Sequence, residues 1–190
     1  MTPVTLQLKG PYHLCGREDL AFSDKAPDKP GVYIWAVERL GELWLSYVGI
    51  SDNMRARQKE HVQNYLAGNY RVYGSDYLEN LKPELAYDPK TQDWIKFWAN
   101  SESYQRLVRE QLSATRVYFA SCEKDLERIE SGLISTIWDN AGDDGAGEHF
   151  LDNSRRSKVV AKREKWYRLA LSDEEGKQFH GLLPGNEFTV

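Results

Sequence analysis

The stretch from Gly31 to His61 constrains this chain most. It reads GVYIWAVERLGELWLSYVGISDNMRARQKEH. Two runs rich in β-branched and aromatic residues are separated by a polar segment that holds Gly41, which predicts two antiparallel strands joined by a hairpin. Each strand carries a tyrosine beside a glycine-bearing end: Gly31-Val32-Tyr33 in the first, Tyr47-Val48-Gly49 in the second. Ser51 or Asp52 can then cap a helix that runs to about Leu66, with Gly68 as its stop. At 100° per residue Met54, Arg57, Gln58, His61 and Tyr65 share one face, so Arg57 and His61 project together.

The remainder reads in the same way. Val4 to Leu8 alternates and predicts an edge strand. Residues 69–113 open with tyrosines and turn residues and continue into two helical pieces. They are too long for an ordinary loop and read as an insertion. Trp94, Ile95, Phe97 and Trp98 look like core anchors within it. Arg116 to Cys122 returns to β character, and a helix is expected from about Lys124 to Trp138. A basic run with Arg155, Arg156, Lys158, Lys162, Arg163, Lys165 and Arg168 follows and is read as a helix, with Trp166 and Tyr167 able to pack or stack.

At 190 residues with 6 Trp, 11 Tyr and 6 Phe, the chain can build a core of ordinary size. The formal net charge of −4 argues against coating nucleic acid by bulk charge and leaves a local basic surface open. Cys15 and Cys122 match no zinc spacing and read as free, buried thiols. No run is long and apolar enough for a membrane span, and no signal sequence opens the chain, so a cytoplasmic location is expected.

Glu130 is the discordant residue. On the helix from Lys124 it falls among Leu126, Leu133 and Ile137, where an uncompensated carboxylate is costly. A divalent metal, an arginine or a hydrogen-bond network must compensate it. Glu127, at the rim of the stripe, can reach solvent.

Taken in order, Gly31-Val32-Tyr33, Tyr47-Val48-Gly49, Asn53 with Arg57 and His61, Glu130 three residues ahead of Leu133-Ile134, and a late asparagine resemble a GIY-YIG nuclease domain. Valine replaces the isoleucine of both name motifs, and the segment between them is somewhat long. The resemblance covers residues 31–67 and 115–153. It implies an α/β (α+β) fold with a small three-stranded antiparallel sheet flanked by helices, here with a helical insertion and a C-terminal basic helix. The expected organisation is an N-terminal extension at 1–30, a nuclease domain at 31–153 with the insertion at 69–113, and a basic helix and tail at 154–190.

The implied function is that of a divalent-metal-dependent endonuclease, a hydrolase of DNA phosphodiester bonds working by a one-metal mechanism. Glu130 would ligate one Mg²⁺ or Mn²⁺. Tyr33 would orient or deprotonate the attacking water, and Tyr47 would hold water or phosphate. Arg57 would neutralise charge on the pentacovalent phosphate. His61 would relay a proton, and Asn153, favoured over Asn140, would brace the site. Gly31 and Gly49 would let the substrate approach, with Ser51, Arg155, Arg156 and Lys158 as further substrate contacts. The partner would be DNA, branched or a site-specific duplex, bound by a monomer or a homodimer. Two rival readings stand beside this one: a nucleic-acid-binding module on the same fold that does not cut, and an unrelated α+β interaction domain whose Glu130 is a buried ion pair.

Overall fold

The computed structural model describes residues 2–39, 41–77, 84–140, 152–153, 165–172 and 177–190. In chain order the elements are β1 (Val4–His13), β2 (Gly31–Arg39), β3 (Glu42–Ser51), α1 (Met54–Leu66), β4 (Val72–Tyr73), β5 (Leu85–Tyr87), α2 (Trp94–Ala99), α3 (Ser101–Ala114), β6 (Thr115–Ser121), α4 (Leu126–Asn140), β7 (Trp166–Leu171), β8 (Phe179–His180) and β9 (Glu187–Thr189).

The expected small three-stranded antiparallel sheet is overturned. The strands β3-β2-β6 are antiparallel neighbours, but they form part of a seven-stranded mixed sheet ordered β8-β3-β2-β6-β1-β7-β9, with β4-β5 as a separate ribbon. The β1/β7 and β3/β8 pairs are parallel. The physical reason lies at β6: a strand with one free edge carries a row of unpaired backbone groups, and β1 covers that row. β1 is therefore not the edge strand its alternation suggested. Its first half, Val4 to Leu8, pairs with β7, and its second half pairs with β6. Alternation reports one buried face and says nothing about lateral partners.

The expected C-terminal basic helix is corrected over its last residues, and residues 154–164 of it lie outside the described residues. Trp166 to Leu171 is strand β7, in register with Val4 to Leu8. Tyr167 and Leu169 point into the core while Trp166 and Arg168 are exposed, which is a period of two and not of 3.6. Arg155, Arg156 and Lys158 lie outside the described residues.

Each face of the sheet buries a core. On one face Val32, Ile34 and Ala36 of β2 meet Ile129, Leu133, Ile134 and Ile137 of α4. On the other, Tyr33 and Trp35 meet Met54 and Tyr65 of α1 and Leu107, Val108 and Leu112 of α3. Burying each such aliphatic side chain contributes about 1.5–3 kcal/mol. A bulge between Trp35 and Ala36 leaves Ser46 as the extra residue on β3 and keeps Trp35 opposite Tyr47.

Helix α1 begins at Asn53, not at Ser51 or Asp52. The Asn53 side chain accepts the Ala56 N–H at 2.9 Å and satisfies one of the free amides of the first turn. The helix stops at Gly68, whose φ of +74° is a left-handed conformation that glycine tolerates best. A side chain at Gly68 would also strike the Phe97 ring at 2.6 Å. Phe97 is the single true core anchor of α2. Trp94, Ile95 and Trp98 are 56%, 73% and 48% exposed, which corrects their reading as anchors: a helix of six residues can turn only one face inward. Cys15 and Cys122 are free, and each is half-buried. Among the described residues, no helix is long and apolar enough to cross a membrane.

Candidate functional site

β8 pairs with β3 only at Leu43 and Trp44. Beyond them, from Leu45 to Ser51, no described strand covers the outer edge of β3. The sequence-predicted residues gather at this edge.

Tyr33 and Gly49 stand opposite each other on the β2/β3 ladder. The Tyr33 phenol lies across Gly49 so closely that a Cβ there would fall 2.3 Å from both Cζ and Oη. Gly49 therefore makes room for Tyr33. The space beside Gly31 is likewise filled from within, by the Ala120 carbonyl oxygen and the Met54 thioether. Both glycines serve close internal packing, and neither faces a substrate.

The Tyr33 hydroxyl is the hub. It lies 2.7 Å from His61 Nε2, and Arg57 and Tyr47 both act on its titration. Its ring stacks on Tyr47 at 6.0 Å between centroids. His61 Nδ1 lies 3.1 Å from the Tyr70 hydroxyl, which also accepts from Asn64 Nδ2 at 3.4 Å. Beneath the imidazole, Gln58 accepts from Trp35 Nε1 at 2.8 Å, and the Trp35 and Tyr47 rings both meet His61 edge-on. His61 is thus walled by aromatic rings and held at both nitrogens.

Burial sets the electrostatics. The Tyr33 phenol is held neutral well above the usual phenol range, chiefly by desolvation and then by Tyr47, with Arg57 opposing. Tyr47 is raised as well, by burial first; Tyr33 and Arg57 pull it down, and the charge of Glu130 pushes it up. His61 is pushed down to about 4 by burial and then by Arg57, so its imidazole is neutral near pH 7. Arg57 is half-buried and pairs with Glu60 at 2.5 Å, an i,i+3 contact.

Glu130 arrives from the opposite face of the sheet. α4 carries it to 6% exposure within the apolar stripe, close enough to β3 for its charge to act on Tyr47. Glu127, one turn earlier, is exposed as expected. Asn153 binds the β3 edge itself. Its side chain accepts the Val48 N–H at 2.7 Å and donates to the Val48 carbonyl at 2.8 Å. The neighbouring Asp152 N–H bonds the Ser46 carbonyl, and Trp138 of α4 donates to the Asn153 carbonyl at 3.2 Å. Asn153 thus ties the helix bearing Glu130 to the strand bearing Tyr47. Asn140 instead reaches the Gly181 carbonyl and lies away from this edge.

Ser51 is turned to local use: its hydroxyl accepts from the Asn53 N–H and donates to the Asn53 carbonyl. It borders a groove of about 660 Å³ lined also by Asp52, Glu123, Asp125 and Glu127, an acidic surface that disfavours a phosphate there. Tyr70 was missed by sequence reasoning, because a tyrosine two residues past a helix stop carries no pattern. So was the pair of Tyr73 and Asp152, bonded at 2.8 Å, which closes a cavity of about 30 Å³ behind Tyr47 and Tyr65.

For a divalent ion the donor chemistry is suitable. A nearly buried carboxylate offers hard oxygen ligands. Among the described residues no cluster of three or more His, Cys, Asp or Glu side chains could hold a metal ion, so an ion at Glu130 would keep most of its waters, as Mg²⁺ does. No family model, curated protein or solved structure matches this chain.

Proposed function

We propose that the chain is a divalent-metal-dependent endonuclease that hydrolyses DNA phosphodiester bonds beside strand β3. The observation that carries this reading is the Tyr33–His61 hydrogen bond at 2.7 Å, with Tyr47 stacked on Tyr33 and the charges of Arg57 and Glu130 acting on these phenols. A single buried tyrosine or a helical arginine is ordinary packing or surface. A phenol bonded to an imidazole, stacked on a second phenol and acted on by a guanidinium charge is an arrangement for handling protons beside an anion.

Burial decides how Tyr33 would work. A phenolate in that environment is strongly disfavoured, so Tyr33 is a poor free base. It is instead suited to act as a neutral relay. It accepts the proton of the attacking water while its own proton passes to His61 Nε2, and it is never left charged. The water oxygen bonds to phosphorus, the bond from phosphorus to the 3′ oxygen breaks, and the leaving oxygen takes a proton from solvent. Arg57, which can only donate, exchanges its pair with Glu60 for the phosphate oxygens, where its planar donors meet the accumulating charge. Glu130 would hold one Mg²⁺ or Mn²⁺, which would supply Lewis-acid polarisation of the phosphate.

The test is cutting or nicking of supercoiled plasmid with Mg²⁺, comparing wild type with Glu130→Gln. Cutting that Glu130→Gln abolishes while the fold is kept supports the proposal. DNA retained without cutting, with or without metal, would favour a binding module and reject it.

A further inference from the structure

Tyr70 lies outside both tyrosine motifs, on the turn that follows the Gly68 stop, yet among the described residues it is the one hydrogen-bond partner of the second nitrogen of His61, at 3.1 Å. We infer that Tyr70 is a positioning residue that holds His61 in the Nδ1–H tautomer and so leaves Nε2 free to take the Tyr33 proton. The catalytic meaning of this inference rests on the nuclease reading; the tautomer itself does not.

The bonding pattern admits two self-consistent arrangements. In the first, Tyr33 donates to Nε2, and Nδ1–H donates to Tyr70. In the second, Tyr70 donates to Nδ1, and Nε2–H donates to Tyr33, whose own hydrogen must then find another acceptor. Distance separates them. Hydroxyl-donated hydrogen bonds run shorter than N–H-donated ones by ~0.2 Å. The Tyr33–His61 contact is 2.7 Å and the His61–Tyr70 contact is 3.1 Å, the order the first arrangement requires. The second would put the short bond on an N–H donor and the long one on an O–H donor.

The surroundings of each oxygen agree. Tyr70 already accepts from Asn64 Nδ2, has a second lone pair for Nδ1–H, and is only partly buried, so its own hydrogen can point to water. The Tyr33 hydroxyl lies 2.7 Å from Nε2, with the Arg57 charge acting on it. The imidazole is neutral near pH 7, so one nitrogen must be bare. Fixing which one is bare decides whether His61 can receive a proton from Tyr33 or can only donate to it. The Tyr70 ring is itself held edge-on against Tyr65 at 5.0 Å, and Tyr65 is anchored in the core, so the hydroxyl is not free to swing away.

The experiment is a long-range ¹⁵N–¹H correlation spectrum of histidine-labelled full-length protein, with the His61 signals assigned by their loss in His61→Gln. The wild type should show His61 with a protonated Nδ1 and a bare Nε2. Tyr70→Phe, which keeps the ring contacts and removes only the hydroxyl, should shift His61 toward the Nε2–H form. In the plasmid assay it should lower kcat about tenfold with KM unchanged, the size of losing a group that orients a functional imidazole. A wild-type His61 already in the Nε2–H form overturns the inference, and so does a Tyr70→Phe spectrum with the wild-type tautomer. The wild-type spectrum decides even where the variant does not fold. It decides equally where the plasmid stays intact, a result that would sink the nuclease reading alone.

Discussion

Acidification should unfold this protein through His61. The unfolded chain binds a proton on this imidazole near pH 6.5, while the folded chain resists it down to about 4. The contribution is fully present above the unfolded value and is lost as the pH falls through the window between the two. Between about pH 7 and about pH 5 the linkage relation gives a loss of about 2 kcal/mol, since the unfolded state gains the proton over this range and the folded state barely does. The shift traces to an imidazole 2% exposed, walled by Trp35 and Tyr47 and faced by the Arg57 charge. The assay is urea unfolding at both pH values for wild type and for His61→Gln, which keeps a donor and an acceptor but cannot titrate. His13 is also pushed down, by burial and then by Arg116, but it is present in both proteins and cancels in the comparison. The wild type should lose about 2 kcal/mol more than the variant. Equal losses would show that His61 titrates normally and that the aromatic wall around it does not exclude water.

Four substitutions test the site and its surroundings. Gly49→Ala puts a methyl group 2.3 Å from the Tyr33 phenol, so the ring must tilt off His61; DNA cleavage should fall at least tenfold, with about 1–3 kcal/mol lost in thermal unfolding. Gly41→Ala, at φ +82° with open space around it, should cost about 1 kcal/mol and leave cleavage intact. Asn153→Ala removes both bonds to Val48 and strands a backbone N–H and carbonyl at the β3 edge; urea unfolding should register a loss of about 2–3 kcal/mol. Arg57→Gln should change stability by less than about 1 kcal/mol, because its pair with Glu60 is partly exposed, and should reduce kcat about 100-fold. A stability loss without a loss of kcat would reverse the role assigned to Arg57.

The local half of the fold was legible because it rests on short-range physics. The β2/β3 hairpin is written in two β-rich runs around Gly41. The face of α1 is written in the spacing of Met54, Gln58, His61 and Tyr65, all of which are buried. Glu130 stood out because a carboxylate breaks an otherwise apolar stripe, and it is buried in that stripe. Long-range pairing was not legible. Nothing in Val4 to Leu8 states that a strand from Trp166 onward will lie parallel beside it, and the charges of the run 155–168 hid the period of two that begins at Trp166. Exposure was misjudged on α2 because Trp94, Ile95 and Trp98 are apolar by type, while six residues leave room for one anchor. Within the site, Arg57 and His61 could be placed together from helical spacing alone. The second ligand of His61 could not be, since Tyr70 reaches it only after the chain turns at Gly68.

The most direct test of the central claim is metal-dependent cleavage by wild type beside Glu130→Gln, at matched folding by circular dichroism, on supercoiled plasmid with Mg²⁺ and with chelator. Nicked or linear product from wild type with Mg²⁺, absent with chelator and absent with Glu130→Gln, is the predicted result. Intact plasmid from wild type, or equal cleavage by the variant, would contradict the assignment of the β3 edge as a one-metal nuclease site.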